Sequence, residues 1–545
     1  MYSEYKSMAY CLPQNPLLQS RPVQYTDAMN TTVGCSSAAI PYPSLYGAQF
    51  VNLTAVPVIN YTVPSTQESL SYPNNITGLN FCNVSISYTH PGQNDLINVR
   101  IWLPSNDWNG RFMGVGGGGY STGPTSDSPL ANGLSLGYSV ATTDGGHELV
   151  SPTAATWALN SPGNVNTYLL QDFASVALKD MAVIGKAATE SFYQKAPAYS
   201  YWNGCSTGGR QGLMMAQRYP DEYDGILAGA PAINWASFIV AEYWPQLIMN
   251  LMKSYPSACE LNAITAAAVA ACDALDGVAD GIISRPDLCY FEPGSLTGQS
   301  FDCEGVLSTF SNAGTTLAQA AWTGARSTNN SFLWYGLSYG ANLTTGLAVT
   351  TCTNGTCTGR PFSISSDWIS LFVQKNASFD PTTLTRSTYN DVFHASKQQF
   401  TSIIDTADPD LSSFRDAGGK VITWHGLSDN VIFPEGTADY FKRVKAMDPD
   451  VESYYRHFRA PGVEHCRSGL GPYPKTAFES LVQWVEKGIA PEVLAGESLP
   501  LNGSVIQRNL CMYPQDLFYT GGDPNVASSF RCLSSKAGTT APGSA

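Results

Sequence analysis

Three observations in the sequence predict an α/β fold, a mostly parallel sheet with helices on both faces. From about residue 82, apolar segments of strand length recur and end in turn residues. Up to Pro231 they alternate with segments whose apolar residues fall at helical spacing. The strand signature then returns at residue 418, after a long stretch of different character. Alternation of this kind marks parallel strands joined by crossover helices.

Residues 1–75 are rich in proline and asparagine and show little periodicity. "CNVSISYTH", "INVRIWLP" and "RFMGVGGGG" follow as strands, and "LGYSVATTDGGHE" as another that runs into a Gly-Gly turn. "TYLLQDFASVALKDMAVIGKAATESFY" carries apolar residues at helical spacing for six or seven turns. "AYSYWNG" and "YDGILAGAP" read as strands, separated by the helix "GRQGLMMAQRYP", which Pro220 ends. Residues 232–405 are irregular, helix-and-loop sequence with a share of the cysteines and four glycosylation triplets. Strands resume in "GGKVITWHGLSDN" and "SYYRHFRAPGVEHC", followed by the helix "YPKTAFESLVQWVEKG". The expected organisation is a discontinuous α/β domain, 1–231 and 406–545, with 232–405 inserted as a lid. The low-complexity tail "SSKAGTTAPGSA" is expected to be disordered.

The chain has 545 residues, 43% of them hydrophobic, enough for a sizeable core. Its net charge of −14 argues against nucleic acid or an anionic membrane as partner. No apolar run reaches the roughly 18 residues of a membrane helix, and the start, "MYSEYKSMAYCLPQNP", lacks the pattern of a secretory leader. Other features point outside the cell. N-x-S/T triplets occur at Asn30, Asn52, Asn60, Asn75, Asn83, Asn329, Asn342, Asn354, Asn376 and Asn502. Thirteen cysteines without a CxxC pattern fit an oxidising compartment, and the odd one is assigned to Cys11. The expectation is a secreted glycoprotein.

"YWNGCSTGGRQG", residues 201–212, has G-x-S-x-G spacing between a strand and a helix. In a nucleophile elbow the sharp turn exposes the serine, here Ser206, and small neighbours avoid clashes. The following helix adds its positive N-terminal end. A serine hydroxyl needs a base, and the base needs an orienting group. In an α/β-hydrolase these follow in the order Ser, Asp/Glu, His. Asp429 just after one strand and His465 after another satisfy that order. The oxyanion hole is expected from the N–H of Thr207 and one from the loop "MGVGGGGYSTG", with Gly118 chosen among Gly116 to Gly119. His90, His394 and His457 are read as surface or core residues, His425 as packed and His147 as a turn residue. Cys205 precedes the serine and Cys466 follows the histidine. Contact between Ser206 and His465 would bring these cysteines within disulfide reach, so Cys205 is read as a clamp. A nucleophilic Cys205 is disfavoured, because the elbow exposes the third position of the motif.

"CDALDGVADGI", residues 272–282, gathers Asp273, Asp276 and Asp280 on one loop. Hard oxygen donors favour Ca²⁺ over zinc, but the loop is no EF-hand, and a solvated acidic turn is an equal reading from composition.

At Cys205-Ser206, Asp429 and His465-Cys466 the chain resembles the tannase and feruloyl esterase family of secreted esterases, which carries a CS-D-HC motif. The resemblance extends from about Cys35 to Cys532. It implies an α/β-hydrolase fold with a large inserted lid, and a structural calcium site in that lid. By position, its ligands are the side chains of Asp273, Asp276 and Asp280 and the carbonyls of Val278 and Ile282. No organic cofactor is expected. Disulfides are expected for Cys272–Cys289, Cys35–Cys82, Cys259–Cys303, Cys352–Cys357 and Cys511–Cys532. The implied activity is hydrolysis of phenolic esters, feruloyl esters of plant cell-wall polysaccharides first and, as the alternative, galloyl esters as in tannases. From a different class, a non-catalytic extracellular binding protein keeping the fold and calcium is the competing reading.

Overall fold

The computed structural model describes residues 32–64, 75–354, 356–500 and 504–534. Cys11, the triplets at Asn30 and Asn502, and the 535–545 part of the tail lie outside them. One nine-stranded sheet organises the chain: β1 (Gln49–Val63), β2 (Ile76–Thr89), β3 (Ile97–Pro104), β4 (Arg111–Val115), β5 (Ser139–Thr143), β6 (Tyr199–Cys205), β7 (Gly225–Gly229), β8 (Lys420–Gly426) and β9 (Tyr455–Ala460). In space the order is β1-β2-β3-β5-β4-β6-β7-β8-β9. Five neighbouring pairs, from β5 to β9, are parallel, and three, from β1 to β5, are antiparallel. The parallel half carries the site. All five residues of β5 and of β7 are buried, as strands covered on both faces require.

Two expectations change. Strand β1 lies in the segment expected to be irregular. It is an edge strand with only Leu53 and Val63 buried, and it accommodates Pro57, which a central strand would not. The long helix expected over 167–193 is two, Thr167–Ala174 and α1 (Val176–Tyr193), broken at Ser175, whose φ is −161°. The other sheet helices are α2 (Thr207–Arg218), α3 (Pro434–Met447) and α4 (Ala477–Lys487).

Residues 230–419 join β7 to β8 and add no strand to the large sheet. Among the described residues they include the helices Trp235–Ala241, Trp244–Met252, Ala258–Cys272, Asn312–Thr323 and Arg386–Ile404, the helical run Ser363–Asp367 and Trp368–Val373, and two hairpins. By length and composition Ala258–Asp276 is apolar enough to cross a membrane, unlike the expectation from apolar runs alone. In the fold its Leu261, Ile264 and Ala268 pack into the core, and Cys259 is bonded to Cys303. The core does not divide at residue 231: Tyr120, Trp157 and Phe173 share one buried cluster with Trp235, Trp368 and Phe372. The six disulfides among the described residues are Cys35–Cys82, Cys205–Cys466, Cys259–Cys303, Cys272–Cys289, Cys352–Cys357 and Cys511–Cys532.

Candidate active site

Strand β6 ends at Cys205 and α2 begins at Thr207, so Ser206 alone makes the turn, with φ 62° and ψ −125°. That backbone is costly for a residue with a side chain, and such strain is concentrated at functional positions. The turn is held by Ser206 N–H donating to Gly229 O (3.0 Å) and Ser206 O accepting from Arg210 N (3.0 Å). A Cβ on Gly204 would stand 2.6 Å from the Gly208 carbonyl, so the strand and helix can approach this closely only with glycine there.

Asp429 follows β8 and His465 lies in the loop after β9, so adjacent parallel strands deliver them to the sheet edge where the elbow projects. His465 Nε2 is 2.9 Å from Ser206 Oγ, and His465 Nδ1 is 2.8 Å from Asp429 Oδ2. Asp429 is fully buried. Its Oδ1 accepts from Val431 N (2.9 Å) and Ile432 N (2.8 Å), and its Oδ2 lies 3.1 Å from His425 Nε2. Burial works to raise its carboxyl, but His465 and the bonds from both histidines outweigh it and hold the group well below the usual carboxylate range. The Cys205–Cys466 bond, with Cα atoms 5.9 Å apart, ties the elbow to the histidine loop.

Beside the serine opens a cavity of about 560 Å³. Gly118 and Thr207 line it with Ser206 and His465. Among the described residues neither Gly118 N–H nor Thr207 N–H has a backbone acceptor, whereas Gly208 N–H is already given to Gly117 O (2.9 Å). Trp235, Phe238, Ile239, Phe362 and Ile364 form the apolar wall. Glu242 lines it too, 2% exposed, with Oε2 buried and, among the described residues, without a hydrogen-bond partner. Burial first and the charge of Asp429 second push its carboxyl well above the usual range.

These contacts are those of a serine acyl-transfer site, and comparison with known proteins agrees. The family model "Tannase and feruloyl esterase" matches residues 82–533. The chain belongs to the tannase and feruloyl esterase family. As a member it is a carboxylic ester hydrolase. It is 42% identical over 503 residues to a probable feruloyl esterase of Arthroderma benhamiae, covering 91% of this chain and 93% of that one. It is 29% identical over 512 residues to a tannase of Aspergillus oryzae, covering 84% and 85%. Among solved structures, the tannin acyl hydrolase of Aspergillus niger matches with a TM-score of 0.82 at 29% identity, covering 92% and 94%. Feruloyl esterase B of Aspergillus oryzae matches at 0.75 and 28%, covering 90% and 97%.

Within this family member, two residues near the triad escaped sequence reasoning. His425, read as packed, is buried but reaches Asp429, with its Nδ1 2.8 Å from Thr437 Oγ1. Glu242 sits in an apolar stretch whose chemistry shows only once the cavity is drawn. The remaining histidines stay away from the serine. His147 stacks on Trp157 with ring centroids 4.4 Å apart and is 2.9 Å from Thr122 Oγ1. His457 Nδ1 meets Thr423 Oγ1 at 3.0 Å, and His394 is exposed.

In the acidic loop, Asp273 accepts from Asp280 N (3.1 Å) and Gly281 N (2.9 Å), Asp276 from Val278 N (2.9 Å) and Asp280 from Ile282 N (3.1 Å). Asp280 also accepts from Arg508 Nη2 at 2.9 Å. Burial raises Asp276, and raises Asp280 to about 6 although Arg508 works to lower it. The carbonyls of Val278 and Ile282 accept no backbone N–H among the described residues. This donor set fits a hard divalent cation.

Proposed function

We propose that this esterase is secreted and hydrolyses esters of phenolic carboxylic acids, with feruloyl esters of plant cell-wall polysaccharides first among them. The observation that carries the reading is the cavity beside Ser206: aromatic and aliphatic walls with a single carboxylic acid, Glu242, among them. Apolar walls take an aromatic ring, and one unpartnered acid can bond a ring hydroxyl. The 42% identity to a probable feruloyl esterase favours ferulate, and the TM-score of 0.82 to a tannin acyl hydrolase keeps gallate as the second reading.

In the mechanism Ser206 Oγ attacks the ester carbonyl as His465 Nε2 takes its proton. Thr207 and Gly118 N–H groups receive the oxyanion. His465 then protonates the leaving alcohol, and a water molecule repeats the cycle on the acyl-enzyme. Asp429 keeps the proton on His465 Nδ1 and balances the imidazolium charge. Asp273, Asp276, Asp280, Val278 O and Ile282 O would hold a calcium ion, which would act as a brace, since none of these residues lines the cavity. The six disulfides and the N-x-S/T triplets support export and glycosylation.

Methyl ferulate, methyl caffeate, methyl cinnamate and propyl gallate, compared by kcat/KM, test the substrate. Ferulate is expected to lead. Preference for gallate would make the enzyme a tannase, and failure on all four would remove the phenolic reading. Glu242→Leu is expected to lower kcat/KM for the hydroxylated esters about tenfold or more while sparing cinnamate, which has no hydroxyl to lose.

A further inference from the structure

A second group of polar side chains lies buried away from the cavity, where β2 turns towards β3. His90 follows β2 directly, Asp95 stands two residues before β3, and Asp172 comes from the helix Thr167–Ala174. One ligand atom from each lies within 4.8 Å of the other two. Asp172 is 1% exposed, and among the described residues both its carboxyl oxygens are buried and have no hydrogen-bond partner. An acid so placed is expensive unless something bonds it.

The surroundings of His90 and Asp95 are ordered as ligands require. Asp95 Oδ1 accepts from Thr89 Oγ1 and from His90 N, both at 2.8 Å, which turns Oδ2 towards His90 Nδ1 at 2.6 Å. On the far side of the ring, His90 Nε2 is 3.0 Å from Asp180 Oδ2, which also accepts from Tyr88 OH at 3.1 Å. A carboxylate on one imidazole nitrogen is what fixes the tautomer and leaves the other nitrogen's lone pair for a metal. The 2.6 Å between Nδ1 and Oδ2 is a hydrogen-bond distance, and the pair would open to roughly 3.0–3.5 Å as neighbouring ligands each about 2.0–2.2 Å from one ion.

We propose that His90 Nδ1, Asp95 and Asp172 bind one divalent transition-metal ion, with Asp180 as the outer partner of the histidine. One imidazole and two carboxylates are the donors of a zinc or manganese site. Binding displaces the proton between His90 and Asp95, and the ion supplies Asp172 with the bond it lacks. None of the four residues lines the cavity beside Ser206, so the ion would join β2, β3 and the helices Thr167–Ala174 and α1 rather than take part in the reaction.

The full-length protein, stripped with chelator and dialysed against micromolar ZnCl₂ or MnCl₂, tests this by metal analysis beside Asp172→Asn, Asp95→Asn and the calcium-loop variant Asp280→Asn. Wild type and Asp280→Asn are expected to retain one equivalent of zinc or manganese, and the other two to bind at least 100-fold more weakly. Zinc-edge absorption of wild type should show one imidazole among oxygen ligands. Stripped Asp172→Asn should melt no lower than stripped wild type, because it removes an unpaired buried acid, and zinc should raise Tm only in wild type. Equal metal in wild type and Asp172→Asn, no metal in either, or an equivalent that disappears in Asp280→Asn would overturn the proposal. In the first two cases His90 is an imidazolium held between Asp95 and Asp180.

Discussion

At the scale of single residues, Ser206, Asp429 and His465 were legible because each residue type stands at a strand end in the order the fold demands. His425 was not. Its neighbours Trp424 and Ile422 are buried strand residues, and nothing in that run says that the turn after β8 folds Asp429 back onto the ring four positions earlier. In the tautomer protonated at Nε2, His425 donates to Asp429 Oδ2 and accepts from Thr437 Oγ1. His425→Leu leaves the Ser206–His465 pair intact but takes one donor from Asp429. Its kcat is expected to fall about tenfold with KM nearly unchanged, since the lost bond matters most when the imidazolium forms. A variant with wild-type kcat would reduce His425 to packing. The main-chain donor of Gly118 is a separate case. A Cβ there meets nothing within 4 Å, so Gly118→Ala should keep the N–H, the melting temperature and most of the activity.

Elements place these residues, and here the clamp was readable while the close approach was not. Two vicinal pairs, Cys205-Ser206 and His465-Cys466, announce a disulfide because a contact between one member of each forces the other members together. The double variant Cys205→Ala/Cys466→Ala is expected to lose a larger factor in kcat than its modest fall in Tm explains, because the loop bearing His465 loses its tether to the elbow. Equal effects on both would make the bond a general staple. Gly204→Ala should cost more than 2 kcal/mol, as its methyl would press on the Gly208 backbone in a turn that cannot widen. The Gly-Gly turn after β5 carries a pH effect. Burial lowers His147 to about 4, below the 6.5 of the unfolded chain. Between those values the unfolded state holds the extra proton, so stability falls as pH drops from about 6.5 to about 4. His147→Gln should flatten that acid limb in Tm measured against pH. An unchanged slope would show that other groups set it.

For the molecule as a whole, the parallel half of the sheet was legible from its apolar strands, and the edge was not. Strand β1 exposes most of its side chains and contains Pro57, so it lacks the signature of a buried strand. The boundary at 231 follows a change of sequence texture, but Tyr120, Trp157 and Phe173 pack with Trp235, Trp368 and Phe372 in one cluster. Calorimetry is therefore expected to give one cooperative transition, and two separated transitions would show that residues 232–405 melt alone. Removing calcium should lower that transition by several degrees, with recovery on adding CaCl₂ and no response in Asp280→Asn. The chemistry assigned to the whole fold comes down to which atom is acylated. Fluorophosphonate labelling followed by peptide mapping should place one adduct on Ser206, appearing in step with loss of methyl ferulate hydrolysis. A fully active, folded enzyme whose Ser206 stays unmodified, or whose adduct maps elsewhere, would contradict it.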